Sequence, residues 1–207
     1  MGKLNNTKEA QLEQNLIDLL CAQHGQWTFR SDLKTEEDLW NNLRNIIEIR
    51  NKSELNDNML TDSEFERIRS EILANTKTPF EAAKWLRGEK GKCSVVLERD
   101  NGLGRIELII YSSIEKNGGF SSYEIVHQIA KNKSNLEERS RRFDITLLIG
   151  GLPIIQIELK TAIAKDGVKQ AYYQIEKYID EGTFSNTIFQ TLQLYVMSNE
   201  QTTRYMA

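Results

Sequence analysis

Hydrophobic residues in the first 90 positions recur with the period of an α-helix. Leucines at positions 12, 16, 19 and 20 are spaced at i, i+4, i+7 and i+8, which places them on one helical face. A second apolar stripe runs through residues 36–51. Thr61-Asp-Ser-Glu64 is a capping box that opens a third helix, and Thr78 followed by Pro79 opens a fourth. Residues 1–90 are therefore predicted to be mainly helical.

From residue 91 onward the apolar residues form short runs that are typical of β-strands. Turn signals rich in glycine and asparagine separate these runs, and a helix is predicted over residues 168–181. The predicted strands cover residues 94–97, 104–111, 123–130, 143–149, 153–160 and 192–197. This order indicates an α+β (α/β) fold with a mixed sheet flanked by helices. We expect a single domain over residues 1–207, with the catalytic core in the sheet-containing part, residues 91–207.

Composition narrows the class of protein. The chain has 207 residues, of which 39% are hydrophobic and 28% charged, so it can bury a core. Two cysteines and two histidines, far apart in the sequence, do not indicate a disulfide scaffold or a cysteine- or histidine-rich metal site. Apolar runs fall short of the roughly 20 residues that span a bilayer, and the N-terminus lacks the apolar segment of a signal peptide. We expect a soluble cytoplasmic protein with no membrane partner.

The charge is distributed unevenly along the chain. The net charge of −3 argues against binding to nucleic acid, but basic residues concentrate between positions 131 and 142. A local basic patch can neutralise phosphates on an otherwise acidic protein. The residues expected to contact DNA in such a patch are Lys131, Lys133, Arg141 and Arg142. A solvated loop is the alternative interpretation of the same charge run.

Two predicted strands carry charged residues at their ends. Asp144 begins one strand, and Glu158 and Lys160 end the next. A charge at the end of a buried strand must be paired, exposed in a cleft, or bound to a metal. Because side chains alternate along a strand, Glu158 and Lys160 share one face of theirs. Asp144 belongs to the same cluster only if its side chain lies on that face as well.

The length of the loop between these strands decides the question. A two-residue loop, Gly150-Gly151, would place Asp144 opposite Ile157, whereas a three-residue loop ending at Leu152 places it opposite Glu158. Glycine suits the positive φ that such a loop needs. We therefore predict a three-residue loop and a cluster of the three charged residues at one edge of one sheet face.

Two carboxylates and an ammonium group in this arrangement have a chemical use. Mg²⁺ prefers oxygen ligands, which Asp144, Glu158 and the backbone carbonyl of Leu159 would supply. A metal there would lower the pKa of a water molecule and neutralise charge on a phosphodiester, and Lys160 would orient the water or stabilise the transition state. A purely structural Glu–Lys pair at the strand end is the alternative.

The helix predicted over residues 168–181 adds two candidates. Its apolar stripe is expected to pack on the sheet, with Val168, Ala171, Tyr172, Ile175 and Ile179 as its members. Gln174 and Tyr178 lie on an adjoining face at i, i+4 spacing, from which both can reach a DNA backbone beside the metal. In the alternative interpretation, Tyr178 borders the core and Gln174 is solvated.

These residues resemble the PD-(D/E)xK nuclease superfamily and, more closely, the N-terminal part of the R (HsdR) subunit of type I restriction endonucleases. Segments that carry the resemblance follow one another over most of the chain: residues 12–20, 39–43, 60–67, 80–84, 97–100, 142–148, 151–160, 174–178, 196–199 and 203–205. One departure is Phe143, which stands where the superfamily's name has proline.

The resemblance implies a role for each candidate residue. Asp144 and Glu158 match the acidic pair that binds metal, and Lys160 matches the catalytic lysine. Gln174 and Tyr178 match the family's Q-x-x-x-Y element. Glu13, on the first helix, matches a glutamate that can approach the metal in related nucleases, although a solvated helix residue is the alternative.

The resemblance also implies a function and a restriction-endonuclease-like core. The chain would be a Mg²⁺-dependent DNA endonuclease domain that hydrolyses phosphodiesters, coupled in the full subunit to an ATP-driven translocase that this sequence lacks. Its partners would be double-stranded DNA and the methyltransferase (M) and specificity (S) subunits. Two alternatives stay open: a repair or recombination nuclease of the same superfamily, and a non-catalytic module that docks on DNA or on other subunits.

Overall fold

A computed structural model describes residues 2–22, 26–112, 122–130, 142–162, 164 and 166–207. The α-helices within these residues are α1 (Gly2–Ala22), α2 (Glu36–Arg50), α3 (Lys52–Leu55), α4 (Asp62–Asn75), α5 (Pro79–Arg87) and α6 (Gly167–Asp180). The strands are β1 (Thr28–Phe29), β2 (Lys92–Glu98), β3 (Arg105–Ser112), β4 (Tyr123–Ala130), β5 (Arg142–Ile149), β6 (Leu152–Leu159), β7 (Leu194–Ser198) and β8 (Thr203–Met206).

The strands form one large mixed sheet and one separate hairpin. The six-stranded sheet has the order β1-β4-β5-β6-β7-β8, with parallel pairs at β1–β4 and β6–β7 and antiparallel pairs elsewhere. Strands β2 and β3 form a separate two-stranded sheet. The predicted α+β fold with a mixed sheet and a mainly helical N-terminal part is confirmed, and it is consistent with a restriction-endonuclease-like core. Strands β1 and β8 and the short helix α3 were not predicted.

Local sequence signals set the starts of three helices. The Thr61 side chain accepts a hydrogen bond from the Glu64 backbone N–H, and the Glu64 carboxylate accepts one from the Thr61 N–H, which is the predicted capping box. Thr35 and Asp38 form a second capping box at α2. Thr78 caps α5, with Pro79 at its first position. Each device satisfies backbone donors that a helix start leaves unpaired.

The large sheet is covered on both faces. On one face, Ile17 of α1 packs against Ile145 and Ile157, which lie side by side on β5 and β6. On the other face, α6 and the N-terminal helices enclose the larger core cluster, in which Phe143 contacts Tyr178. Gln156 and Glu158 flank Ile157 on β6, and they therefore face α6 rather than α1.

Helix α6 is rotated relative to the predicted stripe. Ala171, Ile175 and Tyr178 are buried, at i, i+4 and i+7, whereas Tyr172 and Ile179 are exposed. The prediction that Tyr172 and Ile179 pack on the sheet is wrong, because burying the ring of Tyr178 turns the helix. Among the helices within the described residues, none is both long enough and apolar enough to cross a membrane.

Candidate active site

The hairpin of β5 and β6 turns through two glycines. Leu148 pairs with Pro153 and Ile149 with Leu152, so the loop consists of Gly150 and Gly151 alone. Both have positive φ, 61° and 82°, as a tight two-residue hairpin loop requires. The predicted three-residue loop is therefore wrong.

A β-bulge nevertheless brings the polar faces together. The register shifts by one residue between Leu147 and Leu148, so that Thr146 pairs with Gln156 and Ile145 with Ile157. The bulge adds the single residue that the predicted loop would have supplied. Extended by one position, this register sets Asp144 across from Glu158, as the alternation of side chains predicted.

Asp144 is a mostly buried carboxylate at the start of β5. Its Oδ2 accepts a hydrogen bond of 2.8 Å from the backbone N–H of Leu159. Burial raises the pKa of Asp144 to about 6. The hydrogen bond from Leu159 and the charge of Lys160 lower this pKa, whereas the negative charge of Glu13 raises it further. The carboxyl group thus lies in a site that disfavours its negative charge.

Glu158 is fully buried and is held by two amides. Gln156 Nε2 donates to Glu158 Oε1 at 3.2 Å, and Gln174 Nε2 donates to Oε2 at 2.6 Å. Burial and the neighbouring charge of Asp144 raise the pKa of Glu158 well above its usual value, although Lys160 and Gln156 act in the opposite direction. Amide donors orient this carboxylate without supplying a compensating charge.

A chain of hydrogen bonds extends from Glu158 in both directions. Thr146 Oγ1 donates to Gln156 Oε1 at 2.7 Å, and Gln174 Nε2 also donates to the hydroxyl oxygen of Tyr178 at 2.7 Å. Gln156 was not among the predicted site residues, although its place on the same strand face as Glu158 was the signal for it. The network defines the direction of the Glu158 carboxylate from two elements, β6 and α6.

Gln174 and Tyr178 lie closer to the carboxylates than predicted. The Tyr178 ring packs edge-on against Phe143, at 5.3 Å between ring centroids, and against Phe184. Its exposed fraction is 5%. The sequence placed these two side chains on the DNA backbone, a role that stays a prediction. In the structure they support Glu158 from α6.

Lys160 follows the end of β6 at the edge of the site. Its backbone N–H donates to the Ser198 carbonyl at 2.9 Å. A Cβ atom on Gly167, at the start of α6, would lie 3.1 Å from the Lys160 Cβ, so the helix starts against this lysine. Its charge lowers the pKa of both Asp144 and Glu158. Among the described residues, however, neither carboxylate forms an ion pair with Lys160 within 4.0 Å.

Glu13 is buried in the contact between α1 and the sheet. Its Oε2 lies 2.5 Å from His127 Nε2 and accepts a hydrogen bond of 3.0 Å from Gln128 Nε2. Within the described ranges, no group of three or more acidic, histidine or cysteine side chains could hold a metal ion. A ligand role for Asp144, Glu158 or Glu13 stays a prediction.

The predicted DNA-contacting patch falls largely outside the part of the chain that the structure describes. Lys131, Lys133 and Arg141 lie in the undescribed positions. The backbone of Arg142 begins β5, but its side chain is not described. Contact of these four residues with DNA stays a prediction.

Known proteins match this chain along most of its length. The family described as "Type I restriction enzyme R protein N terminus" matches residues 6–207. The SsaAORF53P endonuclease subunit of Staphylococcus saprophyticus, a type I restriction enzyme, is 30% identical over 177 residues, which are 84% of this chain and 17% of the relative. The SauCOLORF180P endonuclease subunit of Staphylococcus aureus is 29% identical over 180 residues, or 86% of this chain and 17% of the relative.

A further relative matches a shorter stretch more closely. The EcoprrI endonuclease subunit of Escherichia coli, also a type I restriction enzyme, is 42% identical over 83 residues, which are 39% of this chain and 25% of the relative. The chain spans about a sixth of the length of the two staphylococcal relatives, 17% in each case. The family match over residues 6–207 is consistent with the mixed sheet and with the carboxylate pair on its central hairpin. The chain belongs to the family of type I restriction enzyme R protein N termini.

Proposed function

We propose that this chain is the metal-dependent DNA endonuclease domain of a type I restriction enzyme R subunit. The observation that carries the proposal is a pair of carboxylates, mostly buried Asp144 and fully buried Glu158, with Lys160 at the end of β6 beside them. Both carboxylates have a raised pKa, since each is desolvated and Glu158 also faces the charge of Asp144. Perturbed groups gathered in this way are typical of functional sites.

The donor set fits a hard divalent cation such as Mg²⁺. Asp144 and Glu158 would bind it through carboxylate oxygens, with the Leu159 backbone carbonyl as a further ligand. A cation would supply the positive charge that the amides of Gln156 and Gln174 do not. When bound, such an ion activates water and neutralises charge on a phosphodiester.

The protein's own residues would orient the reacting groups. Gln156 and Gln174 hold the Glu158 carboxylate in one direction, and the Leu159 N–H holds that of Asp144. The Lys160 ammonium would approach a DNA phosphate and stabilise the charge that develops as the phosphodiester bond breaks. Tyr178 would keep Gln174 in place through its hydroxyl group.

We propose that other parts of the restriction enzyme act together with this domain. By its resemblance to R subunits, we propose that the domain cuts double-stranded DNA at sites away from the recognition sequence. An ATP-driven motor elsewhere in the subunit would translocate the DNA, and M and S subunits would supply recognition. We also propose a cytoplasmic location, because the DNA to be cut is found there.

Cleavage by matched variants tests the proposal. Asp144→Asn keeps the size of the side chain but removes its charge, so it should abolish Mg²⁺-dependent cleavage by the assembled enzyme while ATP hydrolysis continues. Asp100→Asn, the same change at a carboxylate that pairs with Arg67 on α4, should cleave as wild type does. Wild-type cleavage by Asp144→Asn would refute the assignment. DNA binding without cleavage by wild type would favour the docking module.

A further inference from the structure

Two consecutive residues of β4 bind the same carboxylate oxygen. His127 Nε2 and Gln128 Nε2 both contact Oε2 of Glu13, at 2.5 Å and 3.0 Å. Neighbouring side chains on a regular strand point to opposite faces of the sheet, so they cannot ordinarily meet one atom. The local backbone must therefore depart from strand geometry.

The departure is at Gln128, which has a φ of 54°. A residue other than glycine rarely adopts this left-handed region, and the conformation costs energy. The residues on either side keep their register, since His127 pairs with Ile145 and Ile129 with Phe143. Gln128 is therefore turned at the one position of β4 that lies across from Asp144.

An ordinary contact would suffice to attach a helix to this strand. Three positions earlier on β4, Glu124 accepts a hydrogen bond of 2.9 Å from Asn42 of α2 and also pairs with Arg30. That contact is buried, and Glu124 does not have a positive φ. Attachment of α1 to the sheet thus does not explain the strained backbone beside Asp144.

We propose that His127 and Gln128 are positioning residues that hold the Glu13 carboxylate beside Asp144, where its charge strengthens the binding of a divalent cation. This inference rests on the proposed function. The influence of Glu13 on the pKa of Asp144 agrees with such a placement. Glu13 acts through its charge from outside the direct ligands, since its Oε2 is held by His127 and Gln128. Partners of this kind are commonly worth about 10- to 100-fold in metal affinity.

Calorimetric titration of the 207-residue chain with Mn²⁺ tests the proposal without reference to cleavage. His127→Leu removes the nitrogen donor and should weaken Mn²⁺ binding about tenfold. His127→Gln keeps a nitrogen at the position of Nε2 and should restore most of the affinity. Glu124→Gln breaks the comparable buried contact on the same strand and should lower the melting temperature with no change in affinity.

Two further variants keep the test independent of folding. Gln128→Gly relieves the strained φ, so its melting temperature should equal or exceed that of wild type while Mn²⁺ binding weakens. In Glu13→Gln, adding His127→Leu should weaken binding no further, because the histidine acts through Glu13. Wild-type affinity in both His127→Leu and Gln128→Gly would overturn the inference and leave the proposed metal site intact. Absence of Mn²⁺ binding by wild type would overturn both.

Discussion

Glu64 and Glu158 are both fully buried, yet their surroundings shift the pKa of the carboxyl group in opposite directions. Glu64 accepts hydrogen bonds from Arg99 Nε and from the backbone N–H of Asp100, each at 2.7 Å. Burial alone would raise the pKa of Glu64, but these contacts outweigh it and lower the pKa. Glu158 has amide donors and a second carboxylate, and its pKa is raised.

We propose that the difference separates a structural carboxylate, Glu64, from a functional one, Glu158. The chain supplies Glu64 with its own cation, and the resulting network joins α4 to the residues that follow β2. Glu158 and Asp144 are also oriented by hydrogen bonds, but the donors are uncharged amide and backbone N–H groups. Among the described residues, neither carboxylate has an ion-pair partner within 4.0 Å, and such a pair fits a site that takes a cation from solution.

Removing the internal cation should have the largest effect on stability. Arg99→Leu leaves Glu64 charged and buried without its cationic partner, which costs about 3–5 kcal/mol. Urea denaturation at neutral pH measures the change. Arg67→Leu is the control, since the exposed Arg67–Asp100 pair is worth at most about 1 kcal/mol. Equal losses in the two variants would remove the contrast between Glu64 and Glu158.

Removing the cation beside the active site should instead affect catalysis. Lys160→Ala should reduce DNA cleavage about 10²- to 10³-fold, which is the usual worth of a group that stabilises transition-state charge. Its free energy of unfolding should change by no more than about 0.5 kcal/mol, because Lys160 lies at a strand end. Severe unfolding with no separate loss of cleavage would identify Lys160 as a structural partner of Glu158.

Because the pKa of Asp144 is raised, the stability of the metal-free protein should fall as the pH rises. Asp144 has a pKa of about 6 in the folded chain against an ordinary value of 3.8, so the folded state holds its proton more tightly. In the metal-free protein, the contribution of Asp144 to the free energy of unfolding is therefore largest below about pH 4. It decreases as the pH rises toward 6 and beyond, by about 3 kcal/mol in all. Asp144→Asn lacks this loss, so its stability relative to wild type should increase from pH 4 to pH 7. A constant difference in urea denaturation across this range would contradict the raised pKa.

The smallest effect is expected at Tyr178. Tyr178→Phe keeps the ring against Phe143 but removes the hydroxyl that holds Gln174, at a cost of about 0.5–1.5 kcal/mol. Cleavage should fall, because Glu158 then has a less rigid partner, while metal affinity should stay unchanged. If the variant cuts DNA as fast as wild type, Tyr178 serves only the core.

Features that depend on near neighbours in the sequence could be predicted. The capping box of Thr61 and Glu64 is formed by residues three positions apart. The cluster of Asp144 with Glu158 was predicted from strand alternation together with a three-residue loop, and that loop was wrong. The bulge that makes their register possible could not be predicted. A Cβ on Gly151 would lie 2.8 Å from Ile46 Cδ1, so the loop lies close against α2, which is far away in sequence.

The contacts of Glu13 and Gln174 could not be predicted either, because they also depend on residues that are far apart in the sequence. Glu13 and His127 are 114 positions apart, and they meet only because Gln128 adopts a left-handed backbone that glutamine rarely takes. Helix periodicity showed that Gln174 and Tyr178 share a face, but the rotation of α6 follows from the burial of Tyr178 among Phe143 and Phe184. The sequence therefore identified the site residues better than the partners that orient them.

The most direct test of the account compares the melting temperatures of wild type and Asp144→Asn at pH 7, with and without Mg²⁺. Without metal, Asp144→Asn should be the more stable protein, because it no longer carries a buried charge beside Glu158. Saturating Mg²⁺ should raise the melting temperature of wild type and leave that of the variant nearly unchanged, since a ligand stabilises only the folded state that binds it. The predicted result is a reversal of the order of stability on adding Mg²⁺. Two results together would contradict the claim that Asp144 and Glu158 form a cation site. Wild type would have the higher melting temperature without metal, and Mg²⁺ would not raise it.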